Sequence, residues 1–237
     1  MDKDTALATL QDVKKSSPKR NFKQSIDLIV VLSGLDLKKT EHQVNSYVNL
    51  HYSTGRKLSV CALVGAELKT QAAGVFDEVI VDHEFDKFKD KKLAKQLAEK
   101  HDFFVAQANI MAKIATTFGR VFGPKGKMPN PKAGCVVAPN ANLKPVYERL
   151  QKTINLKTRN QPMVQIKVGA EDQDENEITD NILTITNSLV SSLPNGEHNI
   201  KEVLLKLSMG PVFKIEAKKS SQKADAKGKS PKKEAAQ

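Results

Sequence analysis

The chain has 237 residues and a formal net charge of +11, so nucleic acid or another anionic surface is the favoured partner. Hydrophobic residues make up 39% of it, which suffices for a globular core, and no apolar run approaches the ~18 residues of a membrane-spanning helix. Tryptophan is absent and aromatic residues are only 5% of the chain, which argues against recognition of single-stranded bases by stacking.

The first part of the chain predicts one helix and two strands. Residues 25–32 are rich in β-branched side chains, and residues 44–50 alternate apolar and polar side chains, so both ranges are predicted as strands. A helix is predicted over residues 4–16, because apolar side chains recur there at helical spacing: Leu7, Leu10 and Val13.

From residue 58 onward, predicted strands alternate with predicted helices. The strands cover residues 58–64, 78–81, 103–106 and 135–138. The helices cover residues 67–73 and 85–100, a segment that Asn109 caps and Gly119 ends, and a segment from Asn142 to Lys152. This alternation is typical of βαβ units and predicts a parallel sheet covered on both faces.

After about residue 153 the pattern changes again. Strands are predicted over residues 163–168, 203–207 and 212–215, with one helix between the first two. The acidic run at residues 171–177 is interpreted as the solvated start of that helix. From Lys218 to the end there are seven lysines and two acidic residues, and this polar, basic tail is predicted to be disordered.

The predicted fold class is therefore α/β with two domains. A split α+β domain comprises residues 1–63 plus 154–217, an inserted Rossmann-like three-layer domain comprises residues 64–153, and residues 218–237 form the lysine-rich tail. Two short connections in parallel predict a hinge, and a cleft between domains is a common place for a ligand.

One stretch, residues 118–134, concentrates cations on a stiff backbone. It holds four glycines, three prolines, four basic residues and no acid, and this composition predicts a loop rather than a helix or a central strand. Two interpretations are open: a solvated loop without a function, or a loop that contacts a phosphate backbone. Its candidate contact residues are Arg120, Lys125, Lys127, Asn130 and Lys132.

The sequence contains no complete catalytic or metal-binding motif among those considered. Lys127 is followed by Met128, so no Walker A sequence is formed, and the first strand of the alternating segment is not followed by GxGxxG. The five histidines show no metal-ligand spacing. Cys61 and Cys135 are predicted to be buried thiols in a reducing compartment. No signal peptide is recognised, so a cytoplasmic protein without cofactor, metal or membrane partner is expected.

Several motifs in one order carry a resemblance to a known family. FGRVFGPKGKMPNPKAG, the segment KHDFFVAQ before it and KLSMGP near the C-terminus resemble the ribosomal protein L-one family, closest to its archaeal branch. NFKQS before the first strand and NANLKP at residues 140–145 match it too. The resemblance runs from about residue 4 to residue 215; the lysine-rich tail lies outside it.

The resemblance implies a non-enzymatic ribonucleoprotein component of the large ribosomal subunit, monomeric outside the ribosome. It implies that the split domain binds rRNA at the lateral stalk, and that the inserted domain moves and contacts exit-site tRNA. It further implies translational repression through binding to the protein's own mRNA. The alternative is a Rossmann-type enzyme with a phosphorylated substrate under Lys125 and Lys127.

The resemblance also implies an rRNA site, with Ser208 standing where many relatives carry threonine. Independently of it, Met209 would be interpreted as core filling and Phe22 as a cover over the first strand. Asp27 binds phosphate poorly by charge, so its expected role is to accept hydrogen bonds from 2′-hydroxyl or base amino groups. The implied rRNA-binding residues are Phe22, Ser25, Asp27, Gly169, Ser208, Met209 and Gly210.

Overall fold

The computed structural model describes residues 2–18, 20–36, 38–39, 42–158 and 161–215. The tail predicted to be disordered lies outside these residues. The strands of the described part are β1 Ser25–Leu32, β2 Asn45–Asn49, β3 Val60–Val64, β4 Glu78–Val81, β5 Phe103–Gln107, β6 Val136–Val137, β7 Thr153–Lys157, β8 Met163–Ala170, β9 Ile200–Leu207 and β10 Val212–Lys214. Its α-helices are α1 Lys3–Ser16, α2 Lys69–Ala73, α3 Lys91–Lys100, α4 Met111–Lys125, α5 Leu143–Gln151 and α6 Glu175–Ser192.

Both ends of the chain build one antiparallel sheet. Its strand order is β10-β9-β1-β8, so the first strand of the chain lies between two strands from the far end. Every second residue of β1, from Ile26 to Leu32, is buried. These side chains share a core with α1, through Leu10, and with α6, through Ile182, and this alternation is what a sheet covered on one face requires.

The middle of the chain builds the predicted parallel sheet, in the order β4-β3-β5-β6. Helices α3 and α4 bury apolar side chains on one face of this sheet, and α2 and α5 do so on the other. All five residues of β3 are buried, which explains its unbroken apolar sequence. The two-domain α/β fold class is confirmed.

The exact domain boundaries stay a prediction. The predicted boundary after residue 63 falls inside β3, which pairs in the parallel sheet from Val60 onward. Strand β7 was not predicted. It begins at the second predicted boundary and pairs antiparallel with β2. Its five residues alternate polar and apolar side chains, with Ile154 and Leu156 on one side, a signal that could have predicted this strand.

The prediction that residues 118–134 form a loop is wrong for their first half. Helix α4 continues through Gly119, Gly123 and Pro124 and ends at Lys125. Gly126, with φ of 66°, caps it in the left-handed conformation, and its N–H donates to the carbonyl oxygens of Gly123 and Phe122. Buried side chains on one face hold this segment in place: Phe118, Val121 and Phe122.

Two predicted helix starts also differ. Asp90 interrupts the helix predicted over residues 85–100: a 3-10 helix ends at Lys89, and the Asp90 side chain accepts a hydrogen bond from the N–H of Lys92 at the start of α3. Asn109 lies within a 3-10 turn before α4 and does not cap it. Asn142, by contrast, caps α5 as predicted, because its side chain accepts from the N–H of Lys144.

One side chain joins the two chain segments that lead into and out of the parallel sheet. The Gln151 carboxamide, at the end of α5, accepts from the N–H of Leu58 at 2.9 Å and donates to the Leu58 carbonyl oxygen at 2.7 Å. The N–H of Leu50 donates to the Lys152 carbonyl oxygen at 2.9 Å. The chain therefore enters and leaves the parallel sheet's domain at one place.

The two cysteines are buried free thiols, as predicted. Burial raises the pKa of the Cys61 thiol above its usual range and that of Cys135 to about 11. No helix in the described part of the chain is both long and apolar enough to cross a membrane.

Candidate nucleic-acid interface

Three predicted rRNA-binding residues meet at one end of the antiparallel sheet. Ile26 pairs with Leu207 on one side and with Gly169 on the other, so the start of β1 lies between the ends of β8 and β9. The Ser25 and Ser208 hydroxyls are 2.8 Å apart, and the N–H of Ser208 donates to the Ser25 carbonyl oxygen at 3.0 Å. Residues that are far apart in sequence are therefore brought together at this end of the sheet.

Two exposed apolar side chains belong to the segments at this end of the sheet. Met209 is 59% exposed and Phe22 is 54% exposed, so neither fills the core. The N–H of Met209 donates to the side-chain oxygen of Gln24 at 3.3 Å, and the Gln24 amide donates to the Pro18 carbonyl oxygen at 3.2 Å. Gln24, 1% exposed, is a supporting residue that sequence reasoning missed.

The two predicted glycines have reasons within the chain itself. A Cβ on Gly210 would lie 2.3 Å from the Ser17 hydroxyl, and one on Gly169 would lie 2.9 Å from side-chain atoms of Gln173 and Ile178. A larger residue at either position would force neighbouring side chains to move, so packing within the chain favours glycine at both. That Gly210 also lets RNA approach the backbone stays a prediction.

Asp27 follows Ile26 on β1 and lies directly between two lysines. In the register of the sheet its partners are Lys167 on β8 and Lys206 on β9. Burial raises the pKa of the Asp27 carboxyl, while the two lysines and a hydrogen bond from Ser25 act in the opposite direction. Of the seven predicted rRNA-binding residues, the register of the sheet and the turn after β9 thus bring six together: Ser25, Asp27, Gly169, Ser208, Met209 and Gly210.

The second predicted set, from residue 120 to residue 132, does not form a single anion site. The Lys127 ammonium donates to the carbonyl oxygens of Ala98 at 2.8 Å and His101 at 2.6 Å, and the Lys125 ammonium forms an ion pair with Glu99 at 3.0 Å. These contacts hold both lysines at the C-terminal end of α3, where cations are favourable. Burial lowers the pKa of Lys127.

The remaining members of this set lie apart from the lysine pair. Asn130 uses its side-chain oxygen to accept from the N–H of Lys132 at 2.9 Å, which caps a short 3-10 helix. The 3-10 helix contacts β2, and Tyr47 of β2 packs against the core of the parallel sheet's domain, so this loop bridges to the split domain. Arg120 and Lys132 are exposed.

The arrangement does not support the enzyme alternative. In open α/β sheets, ligands bind beyond the carboxyl ends of the strands, where the strand order reverses. Here that position lies between β3 and β5, and the Gln107 side chain occupies it, accepting from the N–H of Gly65 at 2.8 Å. Lys127 instead contacts the His101 carbonyl oxygen, just before β5. This is the amino-terminal end of the strands, opposite to the end where such ligands bind.

Alanine at both Lys125 and Lys127 separates a structural from an RNA-binding role. If both lysines bind phosphate, the slope of log affinity for rRNA against log salt falls by up to about 2. If they serve only α3, the slope stays constant and the protein is destabilised by about 1–2 kcal/mol, because two carbonyls lose a charged donor. Salt-dependent rRNA binding and urea denaturation of the same variant distinguish the two outcomes.

The fold and this surface define a class: a basic, two-domain α/β protein with a split domain that exposes hydroxyl and apolar groups at one sheet end. Comparison with known sequences identifies the family. The profile of the Ribosomal protein L1p/L10e family matches residues 13–211, which is most of the chain, and the chain therefore belongs to this family of ribosomal proteins. The resemblance found in the motifs is confirmed.

Individual relatives agree over almost the whole chain. The large ribosomal subunit protein uL1 of Methanothermococcus thermolithotrophicus is 37% identical over 217 residues, covering 91% of this chain and all of the relative. The uL1 protein of Methanocaldococcus jannaschii is 34% identical, over 94% of this chain and all of the relative. That of Hyperthermus butylicus is 36% identical, over 88% of this chain and 95% of the relative.

Proposed function

We propose that the protein is a structural, non-enzymatic component of the large ribosomal subunit and that it binds large-subunit rRNA through the sheet end of its split domain. One observation carries this proposal: the paired hydroxyls of Ser25 and Ser208 belong to the same sheet end as the exposed side chains of Phe22 and Met209. Family membership supports it, since the relatives are large-subunit proteins.

Such a surface suits folded RNA. Serine hydroxyls donate to and accept from 2′-hydroxyl groups and phosphates, which distinguishes RNA from DNA. Exposed apolar side chains gain free energy when a partner covers them. The chain has no tryptophan, and hydroxyl groups recognise RNA by its shape and its 2′-hydroxyls. Both features favour recognition of a folded rRNA element rather than of unpaired bases.

The finer roles are proposed with the same site in mind. The inserted domain, joined through two adjacent connections, moves relative to the rRNA-bound split domain and assists release of exit-site tRNA. The same rRNA-binding surface binds an rRNA-like element in the protein's own mRNA and represses its translation. The protein is located in the cytoplasm, on the ribosome, and is a monomer when free.

Sedimentation of a cell extract tests the ribosomal role. In a sucrose gradient at high salt, the protein is expected to travel with the large subunits. Recovery of the protein only at the top of the gradient would contradict the proposal. Competition between large-subunit rRNA and the protein's own mRNA for the purified chain then tests repression, since one shared site requires mutual exclusion.

A further inference from the structure

Beside the Ser25–Ser208 pair, four side-chain positions form a row across the whole antiparallel sheet. The register aligns Val212 on β10 with Lys206 on β9, Lys206 with Asp27 on β1, and Asp27 with Lys167 on β8. Asp27, Lys167 and Lys206 are all half-buried. They alternate along their strands with residues of the core, so they lie on the face opposite α1 and α6.

The two lysines keep their charge available for a partner. Within the described residues, neither ammonium forms an ion pair shorter than 4 Å with a carboxylate. Arg56 adds further positive potential at Lys167, which, after burial, is a second cause of the lowered pKa of that lysine. A phosphate bound here would relieve this repulsion.

Asp27 is kept at a cost to folding. Because burial raises its pKa above the value in the unfolded chain, its contribution to stability is fully present below the unfolded pKa and is lost as the pH rises through the folded pKa. Burial therefore disfavours the ionised form of this carboxyl in the folded chain. A half-buried carboxyl whose ionised form is disfavoured by burial is expected to serve a purpose other than folding.

We propose that Lys167 and Lys206 each bind one phosphate of the RNA, while Asp27 between them accepts a hydrogen bond from a 2′-hydroxyl or base amino group. The inference rests on the proposed rRNA-binding function and adds two residues to it. The lysines are two strands apart, about 9.6 Å between their Cα atoms at ~4.8 Å per strand. Because the carboxylate repels phosphate from the middle of the row, it fixes where along the row the RNA backbone lies.

The test compares four single variants of the full chain: Lys167→Gln, Lys206→Gln, Asp27→Asn and, as the matched control, Lys201→Gln. Lys201 is an exposed lysine at the other end of β9, so the control has the same charge change on the same strand. Binding to deproteinised large-subunit rRNA and to an unrelated RNA of equal length is measured between about 50 and 200 mM salt.

Lys167→Gln and Lys206→Gln are each expected to lower the salt slope by about 1 and to weaken binding several-fold, while the control leaves both unchanged. Asp27→Asn is expected to raise the urea midpoint at neutral pH but to lower the ratio of rRNA affinity to unrelated-RNA affinity. If both lysine variants match the control although the wild type binds rRNA, the inference is overturned and the proposed function stands. If the wild type itself prefers neither RNA, the proposed function fails first.

Discussion

Replacing Ser208 and Met209 together with alanine is expected to weaken binding of large-subunit rRNA by about 2–4 kcal/mol, or roughly 30- to 700-fold. Ser208 loses the hydroxyl that lies 2.8 Å from the Ser25 hydroxyl, and Met209 loses a side chain that is 59% exposed in the free protein. Neither residue is charged, so the salt dependence of binding should change little. Filter binding or calorimetry with the rRNA, across several salt concentrations, measures both quantities.

A matched control uses a serine outside this surface. Ser191 is exposed on α6, where its hydroxyl bonds only to the carbonyl oxygen of Asn187, one turn earlier, so Ser191→Ala should leave rRNA affinity unchanged. Unchanged far-ultraviolet circular dichroism would show that the double variant is folded. An affinity loss below about threefold in a folded double variant would contradict the proposed interface.

The largest stability effect is expected at Phe118. Its side chain is fully buried, and its ring centre lies 5.0 Å from that of Phe122 and 5.5 Å from that of Phe85. Phe118→Ala should therefore destabilise the inserted domain by about 3–5 kcal/mol, through lost transfer free energy and the cavity that remains. Urea denaturation followed by circular dichroism measures this loss.

Two comparisons sharpen the Phe118 experiment. Thr116, on the exposed side of the same helix, should tolerate alanine within about 0.5 kcal/mol. Phe118→Leu should cost less than Phe118→Ala, because more of the cavity is filled. A loss below about 1 kcal/mol for Phe118→Ala would support a solvated loop at this position instead of a buried helix. Since Phe118 belongs to the inserted domain, rRNA affinity under native conditions should be unchanged.

The sequence predicted most of the elements because their patterns are local. Strand β1 was predicted residue for residue from its β-branched run, and the alternation of strands and helices indicated the parallel sheet. The register that sets Ser25 against Ser208 could not be predicted in this way. It depends on pairing between segments that are 183 residues apart, and only family resemblance connected them.

The error at residues 118–134 has a physical cause. Glycine and proline content predicts a loop, yet the intrinsic helix propensity of single residues is a weak guide when tertiary packing opposes it. The helix gains more by burying Phe118 and Phe122 than it loses at Gly119 and Gly123. Pro124 lies one residue before the end of α4, where only the final turn is affected. The spacing of the apolar residues in this stretch was the signal that could have predicted the helix.

The joint at Gln151 has a consequence for how this protein can be rebuilt. Because that side chain holds both ends of the intervening segment side by side, we expect residues 59–150 to behave as a cassette whose entry and exit coincide. A short linker could replace the cassette without rerouting any strand of the remaining sheet. Modules of this kind can be deleted, exchanged or transplanted as units, and the host that remains would still carry Ser25, Ser208 and the row of charges beside them.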